Sequence, residues 1–275
     1  MDKILLYTFK IINRLFGSTM AKARFFNSWK YLYGISMRGI GRIQGWPIEK
    51  SGEQDMLRKL LQQSPDRAVV IDVGSNIGQY AQAVMSQVQE GCRISLHMFE
   101  PSAANLQILH EQFNPDKYPN AEFHINQVAL SDKDDTAYLY TDKEGSDLGS
   151  LLNLKLPIRP FDESKKETVQ TRKLDHYITE KGIREVELLK IDVEGAEYMV
   201  LSGAMDSIRK GVVKHIQFEF GAGNISSRMF FHDFWELLSP YYRFHLILSG
   251  GLVPIEKYST DWEIFRTVNY LLIKK

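Results

Sequence analysis

The fold is decided by one stretch of sequence, VVIDVGSNIGQY, which runs from Val69 to Tyr80. Its first five residues are apolar and β-branched except for Asp72, a pattern that is typical of a buried strand. Two glycines, Gly74 and Gly78, follow where a tight turn leads into a helix. The free backbone N–H groups at the start of that helix offer a place for a ligand. The stretch therefore predicts a strand, a glycine turn and a helix that together bind a cofactor.

The acid that precedes the turn indicates the kind of cofactor. Dinucleotide sites carry the pattern G-x-G-x-x-G, whereas this turn has only G-x-x-x-G. A carboxylate at Asp72 would repel the pyrophosphate of a dinucleotide, but it suits a ligand with positive charge. S-adenosyl-L-methionine carries a sulfonium and an ammonium group, so we expect it as the cofactor. The alternative is an ordinary strand-turn-helix unit in which Asp72 is a capping acid.

Strand and helix patterns alternate from this stretch onward. Such alternation predicts an α/β fold with a mainly parallel sheet and helices on both of its faces. The predicted strands are Val69–Val73, Arg93–Phe99, Phe123–Val128, Thr136–Thr141, Thr168–Arg172, Glu187–Val193, Val212–Phe220, Tyr242–Leu248 and Val268–Ile273. The predicted helices are Asp55–Gln63, Ile77–Gln89, Ser102–Phe113, Leu174–Glu180, Ala196–Arg209 and Ser227–Leu238, and Gly145–Pro160 is predicted to be a loop. Ligands of such sheets bind beyond the carboxyl ends of the strands, so the site is expected there.

The second predicted strand ends in an acid, Glu100, which Pro101 follows. An acid at this place in a nucleoside-binding sheet accepts hydrogen bonds from both ribose hydroxyls. The structural alternative is a cap for the helix that begins at Ser102, and the two roles are compatible. After the third strand, polar residues between Asn126 and Asp132 are candidates for contact with an adenine edge, without any one of them being singled out.

Charged residues crowd the end of a later strand, in the sequence LLKIDVEGAE from Leu188 to Glu197. Charges in an otherwise apolar strand need a reason, and Lys190 and Asp192 share one face because they are two residues apart. The following strand ends in Glu219, which would face the same cleft, while His215 in its middle is expected to be a residue of the sheet. The alternative is an ion pair with helix-capping acids. The candidate catalytic residues are Lys190, Asp192, Glu194 and Glu219.

Composition allows one large domain with an extension. The chain has 275 residues, of which 44% are hydrophobic and 25% charged, and its net charge is zero. Residues 1–50 hold nine basic and two acidic residues, so they carry +7 and the remainder carries −7. The acidic remainder discourages contact with phosphates, so no nucleic-acid partner is expected. The single cysteine, Cys92, excludes an intrachain disulfide and suggests a reducing compartment.

Residues 1–50 are predicted to be a basic amphipathic helical extension, and residues 51–275 the main domain. Apolar residues recur at helical spacing between Ile4 and Phe16, and Lys10 and Arg14 fall on another side. Such a helix packs on the domain, supports homodimerisation, or makes peripheral contact with an anionic membrane. Four glycines between Gly34 and Gly45 indicate a linker or a substrate-side loop.

The chain start resembles a signal peptide, because Lys3 precedes an apolar stretch and Ala21-Lys22-Ala23 fits a cleavage pattern. Lys10 and Arg14 interrupt that apolar stretch, and no run reaches about 18 apolar residues. We therefore expect a cytoplasmic protein, at the inner face of the membrane if the extension docks there.

The motifs together resemble a known family. The sequences IDVGSNIG at 71–78, FEP at 99–101 and LKIDVEGAE at 189–197 resemble the FkbM family of class I S-adenosylmethionine-dependent methyltransferases. The resemblance runs from about Val69 to about Phe220 and leaves the first 50 residues uncovered. It implies a Rossmann-like, seven-stranded sheet with the last strand antiparallel, and O-methylation of sugar or secondary-metabolite hydroxyls. It implies as cofactor-binding residues Asp72, Gly74, Asn76, Gly78, Glu100, Pro101 and Ser150.

A carboxylate base is expected, because a sugar hydroxyl is a poor nucleophile even when it lies in line with the methyl group. Asp192 or Glu194 is the first candidate, Glu219 the next, and Lys190 would orient its partner. No metal is expected, although clustered acids also suit Mg²⁺. Three rival functions remain: a nicotinamide-dependent oxidoreductase, a nucleic-acid methyltransferase and a non-catalytic, membrane-associated scaffold. The acceptor is expected to be a small molecule or a glycan, and the sequence does not distinguish an oxygen from a nitrogen acceptor.

Overall fold

The computed structural model describes residues 2–64, 66–141, 149–156, 159–160 and 166–275. The chain forms two compact units, Met1–Ile43 and Gln44–Lys275. The boundary between them falls after Ile43, and the assignment of residues 1–50 as a functional extension stays a prediction. Within the described ranges, no helix combines the length and the apolar character that crossing a bilayer requires.

All described strands belong to the larger unit. In chain order they are β1 (Arg67–Val73), β2 (Arg93–Phe99), β3 (Ala121–Asn126), β4 (Ala129–Leu130), β5 (Asp135–Thr141), β6 (Gly149–Ser150), β7 (Lys155–Leu156), β8 (Arg159–Pro160), β9 (Lys166–Arg172), β10 (Val186–Ile191), β11 (Val213–Phe220), β12 (Tyr242–Leu248), β13 (Gly251–Ile255) and β14 (Val268–Lys274).

The smaller unit is helical. Its helices are α1 (Asp2–Met20) and α2 (Phe26–Gly39), joined by a short 3-10 turn, Ala23–Phe25. The larger unit contains α3 (Ile48–Ser51), α4 (Glu53–Gln62), α5 (Gln79–Gln87), α6 (Ala103–Gln112), α7 (Leu174–Glu180), α8 (Glu197–Ser202), α9 (Met205–Arg209), α10 (Gly223–Ser227), α11 (Phe231–Leu238) and a second 3-10 turn, Thr260–Trp262.

The main sheet of the described residues has eight strands in the order β13-β12-β14-β11-β10-β1-β2-β3. Strands β3, β2, β1, β10 and β11 are parallel, and β14 runs antiparallel to both β11 and β12. The predicted α/β class and the antiparallel last strand are confirmed. The predicted count of seven is one short, because β13 pairs with β12 as a hairpin at the sheet edge. Pro254 lies within β13 and obscured it in the sequence, since proline is tolerated only at such an edge.

The sheet is buried on both faces, as its apolar strands predict. Successive residues of a strand point to opposite faces of the sheet and belong to two different hydrophobic clusters. On one face, Val70 and Leu188 pack with α4, α5 and α6. On the other face, Ile71 and Leu189 pack with α7, α8, α9 and α11. Every residue of β10 is buried. Two helical layers therefore enclose the sheet and leave its carboxyl edge to form a site.

Two of the predicted helices are interrupted. Residues 196–209 form α8 and α9 instead of a single helix, with the break at Gly203. A Cβ atom at Gly203 would lie 2.0 Å from the carbonyl oxygen of Ser131, so another loop passes close to the break. Residues 227–238 are interrupted because Arg228 has a left-handed φ of 57°, which ends α10.

The insertion after β3 forms a small second sheet in the order β4-β9-β5-β6, and β7 pairs with β8. The predicted loop at 145–160 is corrected in part, because β6, β7 and β8 are strands within it. Residues 145–148 and 157–158 lie outside the described residues.

Candidate active site

A cavity of about 1140 Å³ opens at the carboxyl edge of the sheet. This edge contains a topological switch point at β1. The chain continues from β1 to β2 and β3 on one side of it, and the later strands β10 and β11 lie on the other side. Nine of the eleven residues singled out from the sequence line this cavity, whereas Asp72 and Gly78 do not. The nine are Gly74, Asn76, Glu100, Pro101, Ser150, Lys190, Asp192, Glu194 and Glu219. From the stretch between Asn126 and Asp132, the lining includes Ala129 and Leu130.

The glycine turn is fixed by a close backbone contact at Gly74 and a close side-chain contact at Gly78. Gly74 has a φ of +76°, and a Cβ atom there would lie 1.9 Å from the carbonyl oxygen of Asp192. Gly78 has a φ of +86°, and a Cβ atom there would lie 2.5 Å from the ring of Phe113. Both positions need glycine for conformation and for space. The first contact joins the turn after β1 to the loop after β10, so the two loops form one wall.

Glu100 ties the end of β2 to the same turn. Its Oε2 accepts a hydrogen bond from the backbone N–H of Asn76 at 2.9 Å, and its Oε1 accepts one from Ser102 at 2.9 Å. The second bond goes to the residue that precedes α6 and not to an N–H group of the helix itself, so the cap anticipated from the sequence stays a prediction. Burial raises the pKa of Glu100 above its usual value. Oε1 also accepts a hydrogen bond from Nδ2 of Asn105 at 3.5 Å, whereas Oε2 has a further lone pair with which it can accept a ligand hydroxyl.

A row of three polar side chains crosses the buried sheet. Asp72, Lys190 and Gln217 occupy paired positions on β1, β10 and β11. The Nζ atom of Lys190 lies 3.2 Å from Oδ1 of Asp72 and 3.6 Å from Oδ2 of Asp192, and it donates to the carbonyl of Gly74. Burial alone would lower the pKa of Lys190, but the two carboxylates raise it above its usual value. Asp72 therefore acts on the cavity through Lys190, because its own side chain is fully buried.

Sequence reasoning missed Gln217 and the two residues that continue this row, Tyr80 and Glu53. The Tyr80 hydroxyl donates to Oε1 of Gln217 at 2.5 Å, and the Gln217 amide donates to Oε1 of Glu53 at 2.6 Å. The Tyr80 ring lies 5.1 Å from Nζ of Lys190. Burial raises the pKa of Glu53, which lines the cavity. One signal was available, because a glutamine inside an apolar strand needs hydrogen-bond partners.

The loop between β10 and α8 has a strained backbone. Glu194 has a φ of 53° and Gly195 a φ of 101°. The Glu197 carboxylate accepts the N–H groups of Val193 at 3.1 Å and Gly195 at 2.9 Å. The Ser150 hydroxyl donates to the carbonyl oxygen of Glu194 at 2.9 Å. Two polar side chains thus hold the loop, Glu197 from within and Ser150 from the insertion, which gives a structural role to one of the three acids that follow this strand.

The Glu197→Gln variant should remove a pH dependence of stability. Burial raises the pKa of Glu197 to about 7, although backbone hydrogen bonds oppose that shift. The pKa of Glu197 is higher in the folded state than in the unfolded state. Its contribution to the free energy of unfolding is therefore complete below the unfolded-state pKa and is lost as pH rises through about 7. The loss is at most about 3 kcal/mol. Urea unfolding between pH 5 and 8 should show wild type weakening relative to Glu197→Gln as pH rises.

The matched control is Glu90→Gln, because Glu90 is exposed in the turn before β2. Its stability should follow wild type over the same pH range. If Glu197→Gln and Glu90→Gln followed the same curve, the buried carboxylate of Glu197 would not be the cause.

Acidic side chains dominate the chemistry of the cavity. The Asp192 side chain is 41% exposed, within reach of a ligand. Burial, and then the carboxylates of Asp192, Glu194 and Glu197, raise the pKa of Glu219 well above its usual value. Glu219 therefore holds its proton at a pH at which an exposed glutamate has lost it. Over the part of the chain that the structure describes, no group of three or more His, Cys, Asp or Glu side chains is arranged to hold a metal ion.

Comparison with known proteins gives a domain match. A family model described as the methyltransferase FkbM domain matches residues 72–246, which is more than half of the chain. The matched range begins in β1 and ends in β12, so it contains the glycine turn, Glu100 and the loop after β10. It does not include the helical unit of residues 1–43.

Two curated relatives are similar to part of the chain. Hexuronic acid methyltransferase AglP of Haloferax volcanii is 26% identical over 179 residues, which are 65% of this chain and 66% of the relative. The 2-O-methyltransferase NoeI of Sinorhizobium fredii is 26% identical over 159 residues, which are 54% of this chain and 62% of the relative. The chain thus spans just under two thirds of the length of each relative.

Solved structures are similar to this chain at lower sequence identity. A methyltransferase FkbM from Methylobacillus flagellatus is 16% identical with a TM-score of 0.45, and the alignment covers 75% of this chain and 44% of that chain. An O-methyltransferase from Bacillus cereus, solved in complex with SAH, is 11% identical with a TM-score of 0.41, over 96% of this chain and 97% of that chain.

Proposed function

Since the chain belongs to the methyltransferase FkbM domain family, we propose that it transfers the methyl group of S-adenosyl-L-methionine to a hydroxyl group of a sugar or related small molecule. Membership in the family confirms the resemblance that the sequence motifs indicated. Residues 72–246 are a methyltransferase domain. We infer the activity of the whole protein, its donor site and its acceptor.

One observation carries the proposal, namely the charge of the cavity. Among the described residues that line it, six are acidic and one is basic. Burial raises the pKa of Glu53, Glu100 and Glu219, which lessens the negative charge of this set, but Glu49, Asp192 and Glu194 alone still outnumber Lys190. Such a lining attracts a cation and repels phosphate groups. It therefore favours a sulfonium donor over a dinucleotide, as the acid before the glycine turn predicted.

The residues at the ends of β1 and β2 suit the nucleoside part of the donor. Glu100 would accept the ribose hydroxyls, with its orientation fixed by the N–H groups of Asn76 and Ser102. Gly74 keeps the turn free of a side chain that would displace the loop after β10. When bound, S-adenosyl-L-methionine supplies a methyl group that its sulfonium has already activated.

Asp192 is the residue that we assign as the base. Its carboxylate would accept the proton of the acceptor hydroxyl while that oxygen forms a bond to the methyl carbon. The new bond would replace the carbon–sulfur bond of the donor, whose electron pair would stay on sulfur, so charge and atoms would balance. Lys190, fixed by Asp72, would hold Asp192 in place, while Glu219 is less suited because its raised pKa keeps it protonated.

The acceptor side of the cavity supports a carbohydrate. Trp46 lines the cavity with its side chain half exposed, and an aromatic ring in this situation can stack on a sugar. One relative is named for methylation of a hexuronic acid and the other for 2-O-methylation. Both names are compatible with a sugar hydroxyl as the acceptor of this chain.

Calorimetric titration tests the donor site. S-adenosylhomocysteine should give a saturable heat, whereas NADH should give none because the lining repels its phosphates. Glu100→Gln should weaken S-adenosylhomocysteine binding by roughly ten- to hundredfold, since hydrogen bonds to a charged group contribute about 1.5–3 kcal/mol. Glu49→Gln is the matched control, because Glu49 lines the same cavity from an exposed position.

A heat from NADH without one from S-adenosylhomocysteine would overturn the donor assignment. Equal losses in Glu100→Gln and Glu49→Gln would show that overall charge, and not a ribose contact, governs binding.

Mass spectrometry tests the acceptor. The protein and labelled S-adenosyl-L-methionine are incubated with hexuronic acids, neutral sugars and amino sugars. A methyl group retained on an oxygen of one sugar would support the proposal, and methylation on nitrogen would contradict it.

A further inference from the structure

The smaller unit exposes large apolar side chains on both of its long helices. In α1, Ile12 and Phe16 lie one turn apart, and in α2, Phe26, Trp29 and Tyr33 follow the spacing i, i+3, i+7 of one helix face. These five residues, here called the apolar face, are each between 40% and 65% exposed. Folded proteins rarely expose such a set unless it binds a partner or a membrane.

Basic residues accompany the apolar face. Lys10 and Arg14 are exposed and one turn apart in α1, and at about 100° per residue they lie about 160° around the helix from Ile12 and Phe16. Residues 1–43 contain eight basic residues and one acidic residue, a net charge of +7. The helical unit therefore combines an apolar side with a strongly positive one.

The two helices are held together locally. The indole N–H of Trp29 donates to the carbonyl oxygen of Met20, at the end of α1, at 2.8 Å. Trp29 thus bridges the turn between the helices while part of its ring stays exposed. Tryptophan and tyrosine, with one polar edge and an apolar body, are the residues that favour the membrane–water interface.

We propose that α1 and α2 bind the surface of an anionic lipid bilayer. The apolar face would insert between the head groups, and the basic residues would contact the lipid phosphates. A second copy of the chain is the less suitable occupant, because a symmetric dimer through this surface would place two units of +7 against each other. Anionic head groups neutralise the same charge. The proposal does not depend on the identity of the methyl acceptor.

Vesicle sedimentation of the full chain tests the proposal. The protein should sediment with vesicles of mixed phosphatidylcholine and phosphatidylglycerol, and not with phosphatidylcholine alone. The variant Lys10→Glu/Arg14→Glu should lower the partition coefficient roughly 25-fold or more, since each basic residue near the surface contributes about fivefold. The variant Phe26→Ser/Tyr33→Ser should also lose at least tenfold while it retains the Trp29 hydrogen bond.

The control variant is Lys210→Glu/Lys257→Glu, which has the same change of net charge at exposed positions of the larger unit. Its partition should equal that of wild type, and circular dichroism should show that all variants keep their helix content. Equal sedimentation with both vesicle types, or an equal loss in the control, would overturn the proposal. A third outcome would also overturn it: wild type does not bind vesicles, light scattering shows that it is a dimer, and Phe26→Ser/Tyr33→Ser is a monomer. The apolar face would then bind a second copy of the chain.

Discussion

Replacing Lys190 by methionine should lower the free energy of unfolding of the α/β domain by about 3–5 kcal/mol, because the change leaves a buried carboxylate without its cation. The Asp72 side chain is fully buried, and Nζ of Lys190 lies 3.2 Å from its Oδ1. Methionine fills a similar volume, so the loss of charge dominates over loss of packing. Urea unfolding, followed by tryptophan fluorescence at neutral pH, measures the change.

The chain offers a matched exposed pair as the control. Lys133 lies 2.9 Å from Oδ2 of Asp135, with the two side chains 64% and 52% exposed. Lys133→Met should leave the free energy of unfolding close to that of wild type, because solvent screens an exposed pair. The double variant Asp72→Asn/Lys190→Met should recover part of the stability that Lys190→Met loses, since no uncompensated charge remains. Equal losses of unfolding free energy in Lys190→Met and Lys133→Met would refute the claim that the buried ion pair stabilises the domain.

The elements of the site were predictable where local pattern determines them. The apolar run before Gly74 identified β1, and the acids at Glu100 and Asp192 marked the ends of two further strands. Because parallel strands end at the same edge, their convergence in one cavity followed from the alternation of strands and helices alone. The position of Gly74 in a turn was also predictable, since a glycine after a strand indicates a turn.

The partners of the charged residues were not predictable from the same patterns. That Asp72 and Gln217 lie on either side of Lys190 depends on the register of three strands that are far apart in sequence. The approach of Glu53 depends on how α4 packs on that face. The break at Gly203 likewise results from contact with a distant loop. Local propensity carries no information about such contacts, so the sequence indicated which residues matter but not what they touch.

The second large effect concerns catalysis. Asp192→Asn should lower kcat by about 10²–10⁴-fold, the usual contribution of a positioned general base. The amide keeps the size of the side chain and lines the same cavity, so S-adenosylhomocysteine affinity should stay within a few-fold of wild type. Turnover of the acceptor identified by mass spectrometry, together with calorimetric binding, separates the two properties. Near-full turnover in Asp192→Asn would reject Asp192 as the base.

The rival base is Glu219, and its raised pKa allows a sharp comparison. If Glu219 carries a proton during turnover, Glu219→Gln replaces one neutral, hydrogen-bonding group by another and should change kcat far less than Asp192→Asn. If Glu219 is the base, the order of the two variants reverses. A base with a raised pKa would in addition make kcat rise with pH through that pKa, and Glu219→Gln would abolish the rise. The two assignments therefore differ in both the size and the pH dependence of the loss.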